Sequence, residues 1–375
     1  MARRGVVGLV ASLVVVLLGA QPALACGGLV GPGGTVELAR TTTLAGYHDG
    51  VEHYLTSFSY AGGGTRFGSI VPLPAVPTAV AKGGDWTLPR LVRETQPQRL
   101  ATAEVFTGAQ ADAAQELLTA KVDALDLTVL RGGGRAVGDW ARERGFGLSV
   151  DAPEVLDFYA ARSPIFLAAS FDARRAAARG QRLGDSTAIH LTIPTSNPWV
   201  PLRILGLGHQ PTDPVQADVY LLTGRRPTLL PGPAEGSGEP ERGAPVDRLL
   251  GAGGVALERS EPASPQLLAD LRADQGMGWL PEAGMWLSYL RVDTTAGALG
   301  HDLAVDAAGG RPSPVAAGLA APAAGGVALP AGATEPAGRP AGPGPWAWLI
   351  AALAVAAAAV AGRVLLGRDQ PAGSR

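Results

Sequence analysis

Cysteine is almost missing: Cys26 is the only one in 375 residues, so no disulfide can form within the chain. Lysine is nearly as scarce, with Lys82 and Lys121 the only two; the other basic residues are arginines. Aromatic residues make up 5%, charged residues 17%, and the formal net charge is −2. Without a basic field there is no electrostatic footprint for nucleic acid. No G-x-S-x-G elbow occurs, and no spacing of Ser, His and Asp singles out a triad. The Gly132-Gly133-Gly134 run precedes a helical pattern. It lacks the Lys-Ser/Thr pair of a P-loop and the spacing of a dinucleotide fingerprint, so it reads as a strand-to-helix turn. No cofactor and no nucleotide are expected.

Glycine and proline are abundant, at 52 and 31 residues, and apolar residues reach 46%, enough for a sizeable core. Both ends carry targeting signals. Arg3 and Arg4, the uncharged stretch from Val6 to Ala20, and Ala23 and Ala25 at −3 and −1 form the three parts of a secretory signal peptide over 1–25. Cleavage after Ala25 makes Cys26 the first mature residue. Near the other end, Trp346 to Gly362 is uncharged and spans about 26 Å as a helix. Val364 to Leu366 extends it, with Arg363 snorkelling, Trp346 and Trp348 at the interface, and a basic tail that keeps 367–375 cytoplasmic. The expected partner of this 346–366 helix is the plasma membrane, crossed once with the head outside. The Ala/Gly/Pro-rich stretch 306–345 reads as a stalk. Within it, Leu329 to Ala333 is only a partial match to a sortase motif, so wall attachment is the less favoured arrangement.

The head is expected over 26–305, as an α+β domain rich in antiparallel sheet with a few helices. Val51 to Tyr60 and Phe67 to Val71 read as two strands around a glycine turn, with Pro72 ending the second. Further strands are expected at Leu125–Leu130, Ile165–Phe171, Ala188–Ile193, Val200–Leu205, Ala217–Leu222 and Met285–Val292. Helices are expected over Arg135–Arg144, after an Asp151 cap with Glu154 completing a capping box, and over Ser264–Ala273. The Gly/Pro-rich loop 226–246 is a possible boundary to a smaller C-terminal part.

These residues resemble a bacterial family catalogued as domain of unknown function 2330. The resemblance is carried by Ala25 to Gly28, by the stretch from Ser69 to Pro77, by Thr128 to Gly145 and by Ile193 to Arg203. It implies an extracytoplasmic domain with a signal peptide and a C-terminal span, and no established activity. Many members have a second cysteine soon after the first; here Gly31 and its neighbours stand in that place.

Few side chains point to chemistry. Cys26 follows Ala23 at −3 and Leu24 at −2, the reverse of a lipobox, so a small buried residue is preferred to a lipid anchor. His48, Asp49, Glu52 and His53 place four possible ligands close together. A turn at His48 and a strand at His53 would aim them apart, so no metal site is expected, with His48 and His53 as the only candidates. His190, between Ile189 and Leu191, reads as sheet-facing. Ser196 to Pro201 reads as a turn with Trp199 in the core. The function expected is binding or scaffolding at the bacterial cell envelope, with an envelope protein or polymer as partner. The alternative is an envelope hydrolase whose site is assembled only by the fold.

Overall fold

The computed structural model describes residues 24–25, 28–31, 34–35, 39–59, 67–96, 114–181, 186–232, 248–249 and 254–322. All lie within one unit, Met1–Ala328. Ala23, Cys26 and the expected membrane helix with Trp346, Trp348 and Arg363 lie outside the described residues. Among the described residues no helix is long and apolar enough to cross a membrane.

The chain opens with β1 (Leu24–Ala25), β2 (Gly28–Gly31) and β3 (Gly34–Thr35). The long strands β4 (Ala39–His48) and β5 (Val51–Ser59) form a hairpin. Its two-residue loop, Asp49-Gly50, has φ of 49° and 78°, the primed turn that matches strand twist and that Asp-Gly favours. Then come β6 (Phe67–Leu73), β7 (Ala79–Lys82), α1 (Thr87–Thr95), β8 (Gln115–Val122) and β9 (Leu125–Arg131). Two helices, α2 (Gly134–Arg142) and α3 (Ala152–Ala160), precede β10 (Ile165–Phe171), α4 (Ala173–Ala178), β11 (Ser186–Pro194) and β12 (Trp199–Val200). A 3₁₀ turn at Arg203–Gly206 leads to β13 (Pro214–Thr223), β14 (Thr228–Leu230), β15 (Arg248–Leu249) and β16 (Val255–Pro262). The remaining elements are α5 (Pro265–Arg272), β17 (Trp286–Thr295) and β18 (Leu303–Asp306). The protein is thus mixed α+β, with a sheet-rich body and few helices.

The large sheet has the order β15-β16-β17-β13-β4-β5-β11-β7, with β1 beside β4. A second sheet runs β3-β2-β6-β10-β9-β8, and a small third runs β12-β18-β14. Alternation splits the large sheet into two apolar faces. Leu55, Leu44, Tyr220 and Tyr289 share one row and one face. That face packs with Leu88 and Leu91 of α1 and Leu267, Leu268 and Leu271 of α5. The opposite face, with Tyr54, Ala45, Leu221 and Leu191, shares a core with Leu127 and Leu167 of the second sheet. The same core includes Val137, Trp140, Leu156 and Tyr159 of α2 and α3.

Two long-range carboxylates hold the ends of elements. Asp274 Oδ2 accepts the Trp86 and Thr87 amides (3.1 and 2.7 Å) and the Thr87 hydroxyl (2.7 Å), capping α1 from outside the helix. Asp302, fully buried, accepts the Tyr159 hydroxyl (2.7 Å) and the Leu202 and Arg203 amides (2.8 and 3.0 Å) on Oδ1. Its Oδ2 takes Arg162 Nη2 at 2.6 Å.

Several expectations are corrected. β5 and β6 do not form a hairpin: β5 pairs with β4 and β11, whereas β6 pairs with β10 and β2. The body is rich in antiparallel pairing as expected, while β4 runs parallel to β13 from Thr41↔Ala217 to Tyr47↔Thr223. The strand expected at Val200–Leu205 stops at Val200, where Asp302 draws the following amides into the 3₁₀ turn. Asp151 stands before α3 but does not cap it; its Oδ2 accepts the Gly208 amide, and Glu154 pairs with Arg203. The loop at 226–246 separates no independent part, because β17 pairs with β13 along its whole length. The stalk does not begin at 306: Ala316 and Ala317 are buried, and their carbonyls accept from Arg162 Nη1 (2.7 Å) and the Asp302 amide (3.0 Å).

Candidate functional site

A groove of about 660 Å³ lies on the outer face of the second sheet. Its floor follows from register. Lys121, Asp126 and Ser170 form one cross-strand row, and Thr119, Thr128 and Ala168 the next. In β9 the alternate residues Leu125, Leu127 and Val129 are buried on the core side, so Asp126 and Thr128 face outward. The third outward residue, Leu130, is buried, and the chain leaves β9 through Gly132 to start α2.

The wall comes from the end of α2 and the residues after it. Val137, Trp140 and Ala141 lie at helical spacing and are buried. Trp140, only 3% exposed, donates from Nε1 to Glu116 Oε1 at 3.0 Å. The Arg144 guanidinium lies 4.2 Å over the Trp140 ring and also binds Glu116. At the floor, Arg175 grips Asp126 with Nη2 to Oδ1 at 3.1 Å and Nη1 to Oδ2 at 3.4 Å. Lys121 stands 3.7 Å from the same carboxylate. Asp126 and Glu116 are thus held by Arg175 and Arg144, whereas Lys121 is a mostly exposed partner and Glu143 Oε2 is buried without a hydrogen bond.

The histidines are elsewhere. His53 faces Gly46 and Thr192 across the large sheet, and His190 faces Leu55. Both lie on the α1/α5 face, where His53 Nδ1 is 3.0 Å from His190 Nε2. Trp279 stacks flat on His53 at 4.0 Å, over Gly46, where a Cβ would come within 2.2 Å of the indole. Burial is the main cause that holds the His53 pKa down to about 3, with His190 and His48 adding repulsion; burial also lowers His190 to about 4. Both rings are neutral near pH 7. His48 is apart from this pair, 3.4 Å from Asp49. Among the described residues, no three of His, Cys, Asp and Glu converge as metal ligands.

Glu52 lies fully buried on the opposite face from His53, and neither carboxyl oxygen has a side-chain partner. Burial pushes its pKa well above 4.5, and the nearby Trp199 backbone offsets only part of this. The folded state thus keeps a proton that the unfolded chain releases above about pH 4.5, so Glu52 costs stability as pH rises. From pH 4.5 to 8.5 the melting temperature of the parent is expected to fall relative to that of Glu52→Gln. Equal slopes would show that Glu52 does not carry the proton.

Trp199 is buried as expected, and Gly132–Gly134 forms the strand-to-helix turn. His190 is sheet-facing, but its partner His53 was not foreseen. The groove was not foreseen either. The strands β9 and β10 and the helix α2 that carry Asp126, Thr128, Ser170 and Trp140, with Arg144 just after the helix, are legible in the sequence, but β8 lacks a clean alternation and nothing local says that these elements meet around a groove. No family model, no curated protein and no solved structure matches the chain.

Proposed function

We propose that the chain is a non-enzymatic binding domain at the bacterial cell envelope, related to the domain of unknown function 2330 family, and that the groove over β8, β9 and β10 is its binding surface. On this reading the signal peptide 1–25 exports the head, and the 346–366 helix anchors it in the plasma membrane. The observation that carries the reading is the lining of the groove. It offers fixed hydrogen-bond donors and acceptors but no histidine and no nucleophile held against a base. Two histidines lie near carboxylates, His48 with Asp49 (3.4 Å) and His209 with Asp213 (3.6 Å). Neither pair lines the groove, so binding is favoured over hydrolysis.

A photo-crosslinking residue at exposed Thr119, in the groove, tests this in intact cells against one at exposed Gln266 on α5. An envelope component is expected to be captured from position 119 and not from 266. Equal capture from both positions, or none from either, would remove the groove from the reading.

A further inference from the structure

The groove has no net charge. Lys121 and Arg144 are balanced by Asp126 and Glu143 in the lining, and Arg175 and Glu116 behind it cancel in turn. Each lining cation stands against a carboxylate, Lys121 at Asp126 and Arg144 at Glu116. Such a surface exerts no field that would favour a phosphate, a polyanion or a cationic partner. What it offers is a dense set of oriented hydrogen-bonding groups, including the hydroxyls of Thr119, Thr128 and Ser170.

Two further features narrow the ligand. A peptide adding as a strand needs a free backbone edge; β9 and β10 are paired on both sides, and the sheet's free edge here is that of β8, at the rim of the groove and not on its floor. A peptide docking through side chains needs an apolar anchor pocket. Trp140 is only 3% exposed, and the large exposed apolar residues, Trp86, Val150 and Leu319, do not line the groove. The flat surface presented instead is the Arg144 guanidinium stacked on Trp140. It has an apolar face to pack against a ring and N–H groups at its rim.

We propose that the groove binds an uncharged oligosaccharide, a stretch of glycan chain whose hydroxyls pair with Thr119, Thr128, Ser170 and the fixed ion pairs, with one ring against Arg144. From Glu116 to Lys121, β8 extends roughly 16 Å, room for about three pyranose rings. This inference rests on the groove being the binding surface.

The test is calorimetric titration of the full chain in detergent with three neutral trisaccharides (chitotriose, maltotriose and mannotriose) and with trialanine. At least one trisaccharide is expected to bind, with less than a twofold change in Kd between 50 and 500 mM NaCl. The isosteric variant T119V/T128V/S170A removes the three hydroxyls without changing shape or charge. With an unchanged melting temperature, it should weaken that binding at least about tenfold, the effect of losing two or three net hydrogen bonds. Trialanine binding as tightly, a steep salt dependence, or no binding of any of the trisaccharides would overturn the glycan assignment. The crosslink from position 119 separates the two failures. Capture of a protein there without sugar binding leaves the binding surface in place and rejects only the glycan, whereas silence in both experiments rejects both.

Discussion

Asp302→Ala is expected to cost about 3–5 kcal/mol, the range for removing one partner of a buried ion pair. Asp302 is completely buried, and the Arg162 side chain is 3% exposed. Truncation strands the Arg162 guanidinium, whose other polar partners are two backbone carbonyls, those of Ala316 (2.7 Å) and Phe158 (3.3 Å). It also orphans the amides of Leu202 and Arg203, and with them the reason for the 3₁₀ turn. The Tyr159 hydroxyl loses its acceptor but continues to receive the Ile204 amide at 2.8 Å. Arg162 is further held against the rings of Phe158 and Trp199, at 4.0 and 4.5 Å, so it cannot swing out to water cheaply. Urea midpoints at constant m-value measure the loss. The double variant R162M/D302L, which removes both charges, should lose much less than the sum of the single losses. If Asp302→Ala lies within about 1 kcal/mol of the parent, the network does not organise this corner of the fold.

The second large effect is with pH. The unfolded histidines titrate near 6.5, but in the fold His53 and His190 stay neutral down to about 3 and about 4. Their pKa values are lowered on folding, so the stability that depends on their neutrality is complete above about pH 6.5 and is lost as pH falls toward those values. At pH 5 the deficit for His190 is about 2 kcal/mol, and for the more exposed His53 less, after allowance for solvent screening. Glu52 acts in the opposite direction, costing stability as pH rises above about 4.5, so it offsets part of what the histidines gain over the same range. Melting temperatures of the parent are therefore expected to drop clearly from pH 6.5 to 4.5. In His190→Gln that drop should be at most about half as large, even though its starting value is lower. An undiminished drop would place the acid sensitivity elsewhere.

Where local rules decide, the residues alone were enough. Ile165–Phe171 emerged with the bounds read from its apolar run, and α2 and α5 lie where helical spacing put them, the latter with Ser264 accepting the Leu267 amide at 3.1 Å as an N-cap. Asp49-Gly50 closes β4 against β5 by its own backbone preference, a local signal passed over when 51–60 is paired with 67–71. α1 was missed because its cap is Asp274, far along the chain; Trp86 stands at its N-cap position, and no side chain next to it supplies the cap.

From its residues alone, then, the chain is determined to be a mixed α+β body built from strands and helices whose apolar periods can be read directly, without a catalytic signature. Only the tertiary structure decided that β6 joins β10 instead of β5, that His53 meets His190 under Trp279, that Asp302 ties Arg162 to the 3₁₀ turn, and that residues as far as Ala317 belong to the body. Only it assembled the groove, whose floor and wall come from β8, β9, β10 and the end of α2. The physical reason is the same in each case. Periodicity and caps are set by neighbours along the chain, whereas strand partners, buried charges and concave surfaces are set by which distant segments exclude water together.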